Sequence, residues 1–564
     1  MADLYHGSQL GSIRCAVDFT LALRITATLS GLRRVDKRAW WLATLSGGLQ
    51  VVIFPTPNLY WLCWVALAPL LLAVLQARPG EVRTPATLGP ASWLPARPAQ
   101  GFLLGWLSGI MWSAGTCYWI LYTMHVYGGL NTPLAFGVLV LFCLWVGLPT
   151  GLFTWLVAWV ANGAAKPPIG TQRIVVLAPF LWVAAEFARA KIIGFPWDLL
   201  GTAQIDNIPL TRLATVTGVY GISCEILLVN TAFAAALLTR HRSRRLLIGA
   251  AVLAAAALQL SVLVQPGPLP AAGTARLVQP NIPIDRNWTY DSVRALLHRL
   301  QQKSLPPPPA ESTGEPNADL IVWPESPAPF YTNNPLFQAT ISQMAVQAHA
   351  YAIVGAVGVP EAPPGKVEPQ LVTNSAVLVA PDGRWLDRYD KIHLVPFGEY
   401  VPFKTLLSFA HQLTRTVGDF ARGAQRNVFN LGRFKVGTFI CYESIFPGEV
   451  RQFAANGAEV FVNISNDEWF GHTAAPYQHL NQARMRAVEN ERWLLRDTNS
   501  GITAAIDPYG RIVDQAPRDV ETTLLAPFGV LHAATFYTRH GDWFAWLCVI
   551  ISVVAVGAGI QRKF

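Results

Sequence analysis

The chain has 564 residues, 52% of them hydrophobic and only 14% charged, with 20 Trp and a mean hydropathy of +0.32. That balance excludes an ordinary soluble globular protein and points to an integral membrane protein with a soluble part. The formal charge of +9 comes from basic residues clustered beside apolar runs, which argues against a nucleic-acid surface and for a positive-inside bias.

Residues 1–38 are mildly apolar and basic, with Arg14, Arg24, Arg33, Arg34, Lys37 and Arg38, and they lack a compact signal-peptide core. They are read as a cytoplasmic leader. Apolar runs follow at 40–54, 59–75, 101–121, 133–160, 174–190, 213–238 and 246–264. Each is near the roughly 17–25 residues that cross a hydrocarbon core, the first marginally, so 39–264 is expected to be a seven-span transmembrane domain. Trp40, Trp41, Tyr60, Trp61, Tyr118 and Trp119 sit towards run ends, as an aromatic belt requires. Charge alternates between the connections. Those with Arg78, Arg83 and Arg97, with Lys166 and Arg173, and with Arg240, Arg242, Arg244 and Arg245 share the side of the N-terminus. The connections at 55–59 and 122–132 carry no Lys or Arg, and the one after 190 carries chiefly Lys191. The N-terminus is therefore expected in the cytoplasm and everything after the seventh span beyond the membrane. A last run at 543–560, within 539–564, would return the chain as an eighth span with a basic cytoplasmic tail.

Between 265 and 538 the apolar segments shorten to strand length. Strands are predicted at 275–278, 319–323, 352–359, 375–380, 435–441, 458–464, 494–499 and 502–507. Helices at 290–303, 335–350, 447–455 and 479–491 alternate with them, giving an α/β domain large enough for a substantial core. The Pro-rich stretches 305–317 and 361–370 read as surface loops.

The stretch RFKVGTFICYESIFP (433–447) is a buried strand running into a turn and short helix, with Cys441 at the junction. Backbone N–H groups and a helix N-terminus there would favour a thiolate. Cys441 is also the only cysteine between 265 and 539, so no disulfide forms within that domain. Glu325 in DLIVWPES and Lys391 in RYDKIHLVPFGEY likewise stand where a strand would end. A thiol, a carboxylate and an ammonium at strand ends are a sufficient kit for acyl transfer. Taken singly each has a plainer reading: an inert buried cysteine, an N-cap, a solvated turn residue. The other six cysteines lie in or near apolar segments, and neither they nor His393, His472 and His479 show a metal-ligand pattern.

Taken together, WPES, YDKIHLVPFGEYVPF, FICYESIFP, NISNDEWFG and QHLNQARMRAVENERWLLRDTNSGITAAIDPYG resemble the nitrilase-like domain of the apolipoprotein N-acyltransferases, a membrane-embedded branch of the nitrilase superfamily. The resemblance covers nearly the whole chain. It implies a multi-span helical bundle plus an α/β nitrilase-like α-β-β-α sandwich. It also implies a Glu-Lys-Cys triad of Glu325, Lys391 and Cys441, supported by Glu399, Tyr442 and Glu443. The implied reaction moves an acyl chain, from sn-1 of phosphatidylethanolamine, through a Cys441 thioester to the α-amino group of a diacylglyceryl-cysteine. That requires a phospholipid donor, a diacylated apolipoprotein acceptor and a bilayer, but no cofactor, metal or nucleic acid. A monomer in the bacterial inner membrane, with a periplasmic catalytic domain, is expected. Trp288, Trp469 and Phe470 are candidate substrate-binding residues at the lipid entrance, with packing as the plainer alternative, and Phe195 and Trp197 a candidate lid, with interfacial anchoring as the plainer one. A membrane-tethered amidase using water as acceptor, or a non-enzymatic lipoprotein receptor, is the rival reading.

Overall fold

The computed structural model describes residues 35–79, 93–163, 169–238, 243–284, 287–306, 317–359, 371–400 and 420–561. Residues 1–34 of the expected leader at 1–38, Arg83, Lys166, Arg240, Arg242, most of both Pro-rich loops and the basic end at 562–564 lie outside them.

The apolar half is helical: α1 (Lys37–Val52), α2 (Ala68–Leu75), α3 (Pro98–Thr116), α4 (Trp119–Val126), α5 (Thr132–Val146), α6 (Leu148–Gly163), α7 (Ile169–Ala188), α8 (Val219–Leu238) and α9 (Ser243–Leu260). By length and composition, three described stretches suffice to cross a membrane: Thr132–Gly163, Val219–Leu238 and Arg244–Leu263. Tyr60–Leu75 and Trp543–Ala558 are apolar but shorter. The run read as one span at 133–160 breaks at Gly147 into α5 and α6, and the run at 101–121 breaks after Thr116. Gly101, Gly105 and Gly109 stand four residues apart on α3 and let it lie directly on α6. A methyl at Gly105 would come within 1.9 Å of Thr154 Oγ1 and 2.4 Å of the Thr150 carbonyl.

The helix connections gather at two ends. At one, the Asp36 N–H donates to Ala77 O at 2.8 Å and Asn162 Nδ2 to Ala96 O at 2.7 Å. At the other, the connections poor in Lys and Arg meet the α/β domain: Gln478 Nε2 donates to Pro55 O and Thr116 O, both at 3.1 Å, and Thr123 Oγ1 to Trp469 O at 2.9 Å.

The α/β domain comprises β1 (Gly273–Gln279), α10 (Tyr290–Ser304), β2 (Leu320–Val322), α11 (Pro335–Ala348), β3 (Tyr351–Gly358), β4 (Thr373–Val379), β5 (Trp385–Asp390), β6 (Val428–Asn430), β7 (Lys435–Ile440), α12 (Pro447–Ala455), β8 (Val460–Ser465), α13 (Ala475–Asn490), β9 (Trp493–Thr498), β10 (Ala504–Ile506), β11 (Ile512–Gln515) and β12 (Thr522–Phe528). They form two six-stranded sheets, ordered β12-β1-β2-β3-β4-β5 and β11-β10-β9-β8-β7-β6. Strands β1 to β3 are mutually parallel, as are β7 to β9, while the flanking strands run antiparallel. Leu277, Val322 and Ile353 of one sheet share a core with Val436, Phe439 and Val462 of the other, so the sheets face each other. Leu297, Leu300, Phe337 and Ile341 of α10 and α11 cover the outer face of the first, while α12 and α13 pack on the second. The layers are α-β-β-α. Helix α14 (Trp543–Gln561) then returns to the bundle and packs on α7.

Candidate active site

Parallel strands leave their C-terminal ends open, and Glu325 and Cys441 follow two of them, β2 and β7, while Lys391 follows the antiparallel flanking strand β5. Strand β7 ends at Ile440, and Cys441 adopts φ +50°, a left-handed conformation that costs a non-glycine residue about 1–3 kcal/mol. The following turn, Cys441–Ile445, leads into α12. Glu443 holds this turn. Its Oε2 accepts the Ile440 N–H at 2.8 Å, and its Oε1 accepts the Tyr389 hydroxyl at 2.7 Å and the N–H groups of Ile392 and His393 at 2.7 and 3.1 Å. One buried carboxylate thus ties the cysteine turn to the segment following Lys391. Burial pushes the Glu443 carboxyl up, against the donors from Ile440 and Tyr389 that favour its anion.

Glu325 follows β2 through Trp323-Pro324, and Ser326 beyond it has φ +31°. Gly355 of β3 permits this approach: a methyl there would lie 2.1 Å from Pro324 O and 2.9 Å from Glu325 Cα. Glu325 Oε2 accepts the Asn466 N–H at 3.0 Å. Its Oε1 accepts Lys391 Nζ at 3.0 Å and Asn374 Nδ2 at 2.7 Å. Glu399 Oε1 accepts from the same two groups at 3.0 and 2.7 Å, while its Oε2 takes the Val395 N–H at 2.8 Å. The ammonium and the carboxamide therefore stand side by side between two carboxylates.

Lys391 is 1% exposed. Burial alone would lower its pKa, but Glu325 and Glu399 outweigh burial and hold the ammonium well above its usual range. Cys441 is 6% exposed. Burial pushes its thiol up, the Glu325 charge adds to this, and Lys391 draws it partly back. Burial thus works against the thiolate that backbone N–H groups and a helix N-terminus would favour, and leaves the thiol in need of a base. The turn after Cys441 is only five residues of 3₁₀ helix, too short for a helix terminus to offset burial.

The sequence reading missed several neighbours. Asn374 opens β4, and only the polar triplet Thr373-Asn374-Ser375 at the head of an apolar strand hints at it. Asp467 and Arg496 are fully buried; Asp467 Oδ2 accepts Arg496 Nη2 at 2.8 Å, and its Oδ1 lies 3.0 Å from His479 Nδ1. Burial works against the Asp467 anion, but Arg496 and His479 hold its carboxyl well below the usual range. Glu186 accepts the Leu200 N–H at 2.7 Å, and the Arg189 guanidinium lies over the Trp112 ring.

Three of the five candidate substrate-binding residues come together, with Tyr442 beside them. Phe195, Trp197, Phe470 and Tyr442 belong to one apolar cluster with Trp119, Leu139 and Cys143 of the helical bundle. Trp469 sits at its rim, edge-on to Tyr127 at 5.1 Å. Trp288 stands apart, half-buried against the core that contains Ile282 and Leu297. Among the described residues no group of three His, Cys, Asp or Glu could hold a metal.

Two facing six-stranded sheets with this cysteine turn define the carbon-nitrogen hydrolase class, and the family model described as "Carbon-nitrogen hydrolase" matches residues 274–529. A second, described as the N-terminal domain of apolipoprotein N-acyltransferase, matches residues 46–232. The chain is 34% identical over 542 residues to the apolipoprotein N-acyltransferase of Geobacter metallireducens, covering 94% of this chain and 96% of the relative. It is 31% identical over 509 residues to that of Methylococcus capsulatus, covering 89% and 92%. The chain belongs to the apolipoprotein N-acyltransferase family. Solved structures similar to it include a CN-hydrolase superfamily protein from Xanthomonas campestris (19% identity, 46% of this chain and 90% of that one, TM-score 0.34) and an amidase from Nesterenkonia (19%, 50% and 97%, TM-score 0.34).

Proposed function

We propose that the chain transfers an acyl chain from a phospholipid to the α-amino group of the diacylglyceryl-cysteine that begins an apolipoprotein, with Cys441, Glu325 and Lys391 as catalytic residues. The observation that carries this reading is their convergence beside an aromatic cluster built jointly by the bundle and the α/β domain. A soluble amide would have no use for that shared apolar wall.

In the first half-reaction Glu325 takes the Cys441 proton as sulfur attacks the ester carbonyl, the base that a thiol pushed up by burial requires. The oxyanion is met by Lys391 Nζ and the Tyr442 N–H. The adduct collapses, the lysophospholipid oxygen leaves with the proton from Glu325, and a thioester remains on Cys441. In the second half-reaction the acceptor amine, having given its ammonium proton to water, attacks the thioester carbonyl. Glu325 removes a further proton from nitrogen, the thiolate leaves and regains it, and an amide is released. Glu399 and Asn374 hold Lys391 and Glu325 in place.

The same reading puts the bundle in the bacterial inner membrane, with the end carrying Asp36, Ala77 and Ala96 in the cytoplasm and the α/β domain in the periplasm. The distribution of Lys and Arg among the connections supports it. Purified protein given phosphatidylethanolamine labelled in the sn-1 chain and a diacylated lipopeptide should yield labelled triacylated peptide. Free fatty acid alone would make the protein an amidase or esterase instead.

A further inference from the structure

His479 lies on α13 and is fully buried among aromatic neighbours. Trp197 of the helical bundle stacks on it with ring centroids 5.8 Å apart and 22° between planes, and Phe470 meets it edge-on. Its Nδ1 is 3.0 Å from both Asp467 Oδ1 and Arg496 Nη2, and Asp467 is fixed in turn by the Ser465 hydroxyl at 2.8 Å. The imidazole therefore has no room to turn. Its Nε2 lies 3.0 Å from the carbonyl oxygen of Cys441. A carbonyl only accepts, so Nε2 carries the hydrogen.

That carbonyl and the N–H of Tyr442 belong to one peptide unit, which is trans. A trans peptide is planar, with C=O and N–H pointing in opposite directions, so holding one end aims the other. Tyr442 is also the second residue of a 3₁₀ turn, where N–H groups have no acceptor within the helix. A hydrogen bond to the carbonyl polarises the peptide and strengthens its N–H as a donor. Because Cys441 sits at φ +50°, its peptide needs such an outside restraint to stay in place.

We propose that His479 is a positioning residue: by holding the Cys441 carbonyl it sets the Tyr442 N–H that receives the oxyanion, and Trp197 makes this clamp depend on docking of the bundle. The inference deepens the acyl-transfer reading and rests on it. A clamp on the oxyanion donor acts on transition states and leaves substrate binding alone.

The test uses the full-length chain in lipid-detergent micelles and follows Cys441 acylation and its discharge by a diacylated lipopeptide in single turnovers. His479→Ala should slow both half-reactions about 10²–10³-fold, the scale of losing one oxyanion donor, with KM within about twofold of the native value. His479→Gln, whose side-chain N–H reaches the same carbonyl, should recover at least about tenfold over His479→Asn, which is too short. If His479→Ala does not fold, the comparison of Gln with Asn decides alone. Unchanged rates, a loss confined to KM, or equal losses in the Gln and Asn variants would overturn the inference. A native chain that forms no Cys441 adduct would instead overturn the acyl-transfer reading beneath it.

Discussion

Trp197, in the connection after α7, donates its indole N–H to Gln478 Oε1 at 2.8 Å, across 281 residues of sequence. Gln478 answers with Nε2, which bonds Pro55 O and Thr116 O. One carboxamide beside the candidate active site thus fastens three connections of the helical bundle, and the neighbouring residue is His479. The bundle and the α/β domain are welded next to the chemistry.

Trp197→Phe keeps the ring over His479 but leaves Gln478 Oε1 buried without its donor, which costs about 1–3 kcal/mol. Thermal unfolding should shift down by several degrees, and acyl transfer should fall further in Trp197→Ala, which also removes the stack. Melting curves and transfer rates on the two variants check this; a rate unchanged in the alanine variant would show the weld to be mechanical only.

Asn374→Ala removes a 2.7 Å bond from each of two buried carboxylates. Bonds to charged groups contribute about 1.5–3 kcal/mol, so kcat should drop about 10–100-fold. Asn374→Asp should do worse, because it adds a third carboxylate to the pair. Steady-state kinetics on both variants give the ordering.

In Lys391→Ala, loss of the ammonium buried between Glu325 and Glu399 strands two carboxylates. Breaking a buried pair this way costs about 3–5 kcal/mol. Lys391→Ala should therefore unfold more easily than the double variant Lys391→Ala/Glu399→Gln, while neither forms thioester. Denaturant midpoints for the two proteins test the claim.

Gly355→Ala should damage the site from behind. The new methyl would stand 2.1 Å from the Pro324 carbonyl, a backbone atom that cannot swing away. Glu325 must move, so activity should fall at least tenfold; an unimpaired variant would mean that β3 shifts freely.

Alkylation of Cys441 by iodoacetamide tests its protonation. Burial holds the thiol up, so in the lipid-free protein the rate should keep climbing from pH 7 to pH 9 with no plateau near neutrality. A thiolate with a depressed pKa would already be at its plateau by pH 7.

Much of this was legible in the sequence because the central strands are apolar words ending in polar ones. The eight predicted strands overlap β1 to β4 and β7 to β10, and helix 447–455 coincides with α12. Strands β5, β6, β11 and β12 escaped because they are flanking strands: WLDRYD in β5 and IVDQ in β11 have largely exposed faces and too little apolar pattern. Glu325, Lys391 and Cys441 stood out by residue type at strand ends, whereas Asn374, Gly355 and Asp467 have meaning only once distant strands are adjacent. The upward push on the Cys441 thiol was not legible, because burial is a property of the packed domain and the local word FICYES does not carry it.

The central claim is that Cys441 carries the acyl chain, and intact-mass analysis of the purified protein after exposure to phosphatidylethanolamine tests it most directly. The account predicts a mass gain of one acyl group, mapped to Cys441, released by a diacylated lipopeptide and absent from Cys441→Ala. Transfer to lipopeptide by a protein that never shows this adduct, or an adduct of equal yield in Cys441→Ala, would contradict it.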